Sequence, residues 1–297
     1  MTSTQFPSAS TKPQELDFER ALSSGEIQAY FQPKVALRSA RVVGVEALAR
    51  WVHPSAGLIA AGDFLPLVEA GGYMRPLTER VIEFSTRAAG DWWRSGLGLQ
   101  LSVNLPLEAF SGSDWHFPAI VERALSNSGL RGDALQFEIT ESGLLVEADL
   151  ATTVLEQLRE LGATIAVDDF GTGHFSLRQL MELPIEELKI DRSFIHGPTG
   201  NDKTIVRSII HLAHQMGLQV VAEGVETEEA WRQLRSMGCE RAQGFLISKP
   251  IPAREVPAWL ATWNQRAREL SSTKRVKQSK KAARLRHQVA ATSGRPA

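Results

Sequence analysis

Cysteine is almost absent from this chain: Cys239 stands alone among 297 residues. That excludes a disulfide framework and any metal site built on thiolates. Long apolar runs are missing too, and none approaches the roughly 20 residues that a membrane-crossing helix needs. The opening stretch MTSTQFPSASTKPQ has no apolar core of a secretory signal, so a cytoplasmic protein is expected. No GxGxxG and no P-loop follows the first apolar run, which argues against a dinucleotide or nucleoside-triphosphate fold on an open sheet. Past residue 270 no aromatic side chain occurs, so base stacking on that segment is not expected.

What is present is unevenly spread. The net charge of −1 hides ten Lys/Arg against the single acid Glu269 between Asn264 and Ala297. An acidic body with a basic segment marks a composition boundary. Residues 1–13 are rich in Ser, Thr and Pro and are expected to be disordered. One domain is expected over 14–264, and 265–297 reads as a flexible basic tail. KRVKQSKKAARLR within it suits contact with nucleic acid or an anionic membrane by counterion release; a solubilising terminus is the plainer reading.

The body repeats one pattern. A short apolar, β-branched run closes on a polar residue, and a loop and helical stretch follow. The runs are VVGVEALAR, LQLSVNLP, LQFEITES, TIAVDDFGTG, ELKIDRSF, LQVVAEGVE and AQGFLISKP; residues 151–162 and 202–217 have helical spacing. Strands alternating with helices predict βα units and a parallel sheet. Seven or eight such units in about 250 residues predict an α/β fold of the (β/α)8 barrel kind, with an open doubly wound sheet as the other candidate.

In such a barrel the C-terminal strand ends form one rim, where active sites are built. That rim carries Glu46, Asn104, Glu138, Asp168, Asp169, Lys189, Glu223 and Gln243. Carboxylates crowded into one mouth repel unless a positive charge lies among them. Divalent cations held by oxygen ligands answer that need, and an Asn carbonyl suits them. Any one of these acids alone reads equally well as a helix cap or a solvated loop residue. Asp168 and Asp169 are adjacent, and successive strand side chains point to opposite faces. Two ligands in a row therefore predict that the strand has ended and that Gly171 and Gly173 supply a turn.

These residues sit in eight ordered motifs: YFQPKV (30–35), GVEALARWVHP (44–54), SVNLP (102–106), FEITES (137–142), DDFGTG (168–173), LPIEELKIDRSF (183–194), VAEGVET (221–227) and QGFLISKP (243–250). Together they resemble the EAL domain, named for the tripeptide Glu46-Ala47-Leu48, over about residues 15–264. The resemblance implies a TIM-like barrel with its first strand reversed. It implies a phosphodiesterase that hydrolyses cyclic di-GMP to linear pGpG with two Mg²⁺ or Mn²⁺ ions. By matching motifs, Glu46, Asn104, Glu138 and Asp168 look like direct metal ligands. Asp169 looks like a ligand of the second ion or of its water. Lys189 resembles the lysine that contacts the attacking water, and Glu223 the glutamate assigned to metal binding or base work. Glu46, Lys189 and Glu223 thus form the implied catalytic set. Gln32, Leu48, Arg50 and Gln243 look like substrate contacts, with Arg50 on a phosphate. Glu141 resembles the anchor of the loop after the Asp pair. A homodimer through the region near 172–200 is a further expectation from the family.

The chain departs from the family at His174-Phe175, where Tyr-Ser or Tyr-Ala is usual; Ala60-Ala61 and Pro106 are smaller departures. Degenerate relatives bind cyclic di-GMP without cutting it, so a non-catalytic receptor is the alternative. The positions such relatives usually lose are intact here. His211 and His214, three residues apart on one helix, read as surface residues rather than a metal pair. His53 reads as structural, and Trp92, Trp93, Trp259 and Trp263 as packing aromatics.

Overall fold

The computed structural model of the chain describes residues 18–110, 115–141, 148–171, 177–196 and 200–268. The chain enters through a short helix α1 (Phe18–Ser24) and a hairpin of two long strands, β1 (Ile27–Ala36) and β2 (Val42–His53). β2 outruns the barrel wall and pairs at its far end with β3 (Gly57–Ala60). Helices α2 (Ala61–Ala70) and α3 (Met74–Arg94) then lead into β4 (Gln100–Asn104). From there strand and helix alternate as the repeated pattern predicts: α4 (Phe117–Ser128), β5 (Leu135–Thr140), α5 (Ala148–Glu160) and β6 (Thr164–Phe170). Next come α6 (Leu177–Glu182), β7 (Glu187–Ile190), α7 (Arg192–His196), α8 (Gly200–Gln215) and β8 (Gln219–Ala222). The last elements are α9 (Glu228–Met237), β9 (Arg241–Gln243), the two-residue β10 (Ile251–Pro252) and a helix α10 over 256–268.

Strands β2, β4, β5, β6, β7, β8 and β9 follow one another in parallel. β1 closes the ring between β2 and β9 and runs antiparallel to both. The barrel therefore has eight strands with the first reversed, as the family resemblance implies. The open-sheet candidate is excluded by that closure. No helix among the described residues is long and apolar enough to cross a membrane.

Apolar side chains pack outward from the strands against the helices. α3 is the largest of these covers; it buries Leu77, Val81, Ile82, Ala89 and Trp92. Trp92 meets the Phe31 ring of β1 edge-on at 4.8 Å. Burial of a few such side chains, about 1.5–3 kcal/mol each, fixes the helix to the hairpin. The aromatic expectations hold elsewhere too. Trp259 and Trp263 stack at 5.5 Å, and Trp263 Nε1 donates to Ala40 O. His53 Nδ1 accepts from the Ala56 amide, and His214 bonds Glu240 at the surface, contacts that suit the structural and surface parts expected of them.

The inside of the barrel differs from the usual filling of branched apolar side chains. Lys34, Ser102, Gln136, Glu138, Glu187 and Lys189 all lie buried within it. Lys34 alone reaches side chains of β4, β5 and β7. Charge in such a place is tolerated only when it is paired, and each of these groups is.

Candidate active site and metal centre

The rim residues converge as the strand-end pattern predicts. Lys189 is fully buried, and its Nζ is the hub. It lies 2.6 Å from Glu138 Oε2, 2.7 Å from Glu223 Oε1, 2.9 Å from Asp168 Oδ2 and 3.7 Å from Glu46 Oε2. Asn104, the exposed last residue of β4, donates from Nδ2 to Glu46 Oε1 at 3.1 Å. Gln243 Nε2 donates to the other Glu46 oxygen and to Gln32 Oε1. Register explains these meetings: Gln32 faces Glu46 across the β1–β2 pair, and Asn104 faces Glu138 across β4–β5.

The turn at the Asp pair is a correction to the sequence expectation. β6 does not end at Asp168; it runs on to Phe170. Its register against β7 slips, since Val167 pairs Leu188 but Phe170 pairs Ile190. This extra residue is a β-bulge, with Asp169 at φ +54°. Bulges re-aim a side chain at the cost of local strain, and Asp tolerates the left-handed region better than most residues. The bulge lets two adjacent acids reach one site. Gly171 does supply a turn directly after the strand, at φ +98°, and its amide donates to Glu141 Oε2 at 2.8 Å, which ties down the start of the following loop. Gly173 and the His174-Phe175 departure lie outside the described residues, as do the segments 1–13 and 269–297.

The acids form two overlapping triads. Single carboxylate oxygens of Glu46, Glu138 and Asp168 lie within 4.8 Å of one another, and so do those of Asp168, Asp169 and Glu223. One ammonium cannot balance five acids, and the acids respond unequally. Burial would raise Glu138, but Lys189 and Lys34 outweigh it and hold its pKa down to about 2. Burial raises Glu46 to about 7 and Glu223 to about 8, in spite of Lys189, and the neighbouring acids add to the rise. Burial and the Asp168 and Asp191 charges raise Asp169 to about 6. Lys189 itself is raised well above its ordinary value; burial opposes this, but Asp168, Glu138, Glu223 and Glu46 prevail. Acids kept near neutrality by crowding are what an oxygen-ligated divalent cation relieves. Gln243 Oε1 is also buried without a donor among the described residues. The residues present fit a divalent metal centre.

Beside the triads opens a cleft of about 300 Å³. Gln32, Leu48, Arg50 and Gln243 line it, together with Glu46, Asp168 and Glu223. Arg50 spends one N–H on Ala49 O, and burial lowers its pKa. Sequence reasoning missed Arg192, Glu226 and Phe245, which also line the cleft. Arg192 sits three residues after Lys189, two past the end of β7, and Phe245 two after Gln243. Both lay inside motifs already recognised, and an aromatic and a cation beside known site residues were the available signal. Gly244 makes the Phe245 placement possible. A Cβ there would lie 2.2 Å from the Val225 amide nitrogen. The close approach lets Val225 bond Gln243 O and Leu246 N at 2.9 Å each, so the Phe245 segment is pinned to the loop after β8.

With this geometry in view, comparison with known proteins is decisive. The family model of the EAL domain matches residues 15–250. The chain belongs to the EAL domain family. MucR of Pseudomonas aeruginosa, a bifunctional diguanylate cyclase/cyclic di-GMP phosphodiesterase, is 39% identical over 248 residues, 82% of this chain and 36% of MucR. A cyclic di-GMP phosphodiesterase of the same organism is 37% identical over 235 residues, 77% of this chain and 39% of that protein. The solved MucR phosphodiesterase in complex with c-di-GMP has a TM-score of 0.77 at 39% identity. The match covers 81% of this EAL chain and 98% of the solved one. The chain spans little more than a third of the length of the two curated relatives.

Proposed function

We propose that this EAL domain is a metal-dependent phosphodiesterase that hydrolyses cyclic di-GMP to linear pGpG, lowering a second messenger in bacterial signalling. The observation that carries the reading is the pair of overlapping carboxylate triads, joined at Asp168 and opening onto a cleft that holds Arg50. Glu46, Asn104, Glu138 and Asp168 would hold one divalent cation, Mg²⁺ or Mn²⁺, and Asp168, Asp169 and Glu223 a second. Such ions supply Lewis acidity toward a phosphodiester and lower the pKa of water.

The side chains supply the rest. Lys189 is held cationic by four acids, so it acts as a donor and not as a base. It orients the attacking water and offsets charge that develops on the phosphate. Glu223 is assigned to holding the second ion or to base work beside it, with its Oε1 2.7 Å from Lys189 Nζ. Arg50 offers the remainder of its planar fork to a non-bridging phosphate oxygen. Gln32 and Gln243 order the Glu46 side of the cleft, and Leu48 supplies an apolar wall. Phe245, 57% exposed on the cleft rim, presents a ring face for a guanine. Glu141 anchors the loop behind the Asp pair through Gly171.

The same reading includes a homodimer through the region near 172–200, supported by Met181 of α6, which is 73% exposed. The expected boundary at 264 falls inside α10, which runs to residue 268 and buries Ala267. The basic segment beyond it is assigned a solubilising role, with an anionic membrane or nucleic acid as its other candidate contact, and the protein is assigned to the cytoplasm. The test is turnover of cyclic di-GMP by the purified protein with Mg²⁺, with Mn²⁺ and with EDTA, following pGpG by chromatography. Metal-dependent pGpG is the expected result. Tight binding of cyclic di-GMP with no product in any condition refutes hydrolysis and leaves a receptor.

A further inference from the structure

A second ammonium lies beneath the carboxylate cluster, and the reaction just described does not use it. Lys34 of β1 is 1% exposed. Its Nζ lies 2.7 Å from Glu187 Oε1, 3.0 Å from Gln136 Oε1, 3.2 Å from Ser102 Oγ and 3.3 Å from Glu138 Oε1. Glu138 is therefore gripped at both oxygens, by Lys34 from below and by Lys189 at the other. Below Lys34 the series continues: the second Glu187 oxygen accepts from Arg241, which also reaches Gln100 Oε1. A column of alternating charge thus runs through the barrel from Arg241 to Glu187, Lys34, Glu138 and Lys189.

Burying an ammonium is costly, and an apolar side chain of similar volume usually fills such a space with no loss of stability. The column therefore needs a reason beyond packing. Lys189 divides its contacts among four acids, whereas Lys34 touches only Glu138 of the cluster. We propose that Lys34 is a positioning residue for the Glu138 carboxylate, fixing one metal ligand from the floor of the barrel. The inference rests on the metal-dependent reading above. Residues that hold a metal's ligands in place typically change its affinity by about 10–100-fold when removed. A purely structural Lys34 would serve only to balance Glu187.

Three variants separate these roles: Lys34→Met, Glu187→Met and the double variant, each checked by circular dichroism. Mn²⁺ affinity is measured by titration calorimetry without substrate. Positioning predicts that Lys34→Met and the double variant both bind Mn²⁺ about 10–100-fold more weakly, while Glu187→Met stays within about threefold of the original chain. The sign is informative, because losing a positive charge beside a cation site by itself tightens binding. In turnover, kcat should fall at saturating Mn²⁺ with KM for cyclic di-GMP little changed, since Arg50, Leu48 and Phe245 are untouched. Where Lys34→Met leaves an unpaired acid and does not fold, the double variant decides. Affinity in the double variant equal to that of the original chain, or tighter, overturns the inference. Failure of the original chain to bind Mn²⁺ instead overturns the metal reading itself, and the inference with it.

Discussion

Stability of the metal-free protein should fall as pH rises from 5 to 8.5, against the usual expectation of a broad neutral optimum. The cause lies in Glu46 and Glu223, raised by burial and mutual repulsion to about 7 and about 8 from an ordinary 4.5. For an acid whose folded pKa lies above its unfolded one, the folded state holds the proton more tightly. The contribution is present in full below pH 4.5 and is lost as pH climbs through 7 and 8. Glu138, held at about 2, works in the opposite sense, but only below pH 4.5. Each tenfold gain in proton affinity on folding corresponds to about 1.4 kcal/mol. The two acids share their neighbours, so together they contribute a few kcal/mol. In a domain of this size that is a fall in Tm of about 10 °C. Thermal unfolding followed by circular dichroism in EDTA between pH 5 and 8.5 measures it. Mn²⁺ in excess should flatten the curve and stabilise most at the alkaline end, where both ligands are ionised. Glu46→Gln should flatten it partly in EDTA. A Tm in EDTA that stays level or rises across the window refutes the crowding argument.

Other outcomes follow from named contacts. Glu46→Gln removes a ligand from a surface cleft, so turnover should drop by at least about a hundredfold with the fold retained; full activity would sink the metal assignment. Arg50→Ala should lower kcat/KM by about 10–100-fold, in keeping with a lost charge-assisted phosphate contact, and leave the Mn²⁺ affinity unchanged in calorimetry. Gly244→Ala places a methyl against the Val225 backbone; it should raise KM for cyclic di-GMP by displacing Phe245, and an unaltered KM would show that the segment is not pinned. Deletion of 271–297 should leave hydrolysis of free substrate within about twofold, as expected of a sequence with no Phe, Trp or Tyr and few large apolar residues, and a large loss of rate would show the segment coupled to the site.

The rim was legible because most of the parallel strands carry a polar group at or within two residues of their C-terminal end, as at Asn104 of β4, Lys189 of β7 and Gln243 of β9, so motif and strand end nearly coincide. β1 was harder. It carries Pro33 and, as the reversed strand, has no functional acid at its end, so only the family resemblance announced it. The Asp pair was read with the right outcome and the wrong cause. Alternation forbids two adjacent ligands on a regular strand, and a bulge evades the rule without ending the strand. No local signal for that bulge exists in TIAVDDF, because it is defined by the register of β7, a partner some twenty residues further on. Arg192 and Phe245 escaped for a related reason, since their direction depends on how loops fold back over the rim.

The polar column was half visible, and its trace lies in a conflict between two rules. Parallel strands of a barrel are covered on both faces and usually read as continuous apolar runs. Here LQLSVN, LQFEIT and ELKI alternate instead, placing Ser102, Gln136, Glu138, Glu187 and Lys189 at every second position. Alternation of that kind ordinarily indicates one face in water. Yet the βα repeat demands helices outside, so the polar set has nowhere to point but into the barrel. Taken together the two observations require a hydrogen-bonded polar interior with cations to match its acids, and Lys34 is the one lysine of β1 available to meet them. A strand that reads as half-exposed within a parallel barrel therefore identifies the residues beneath an active site as well as those at its rim.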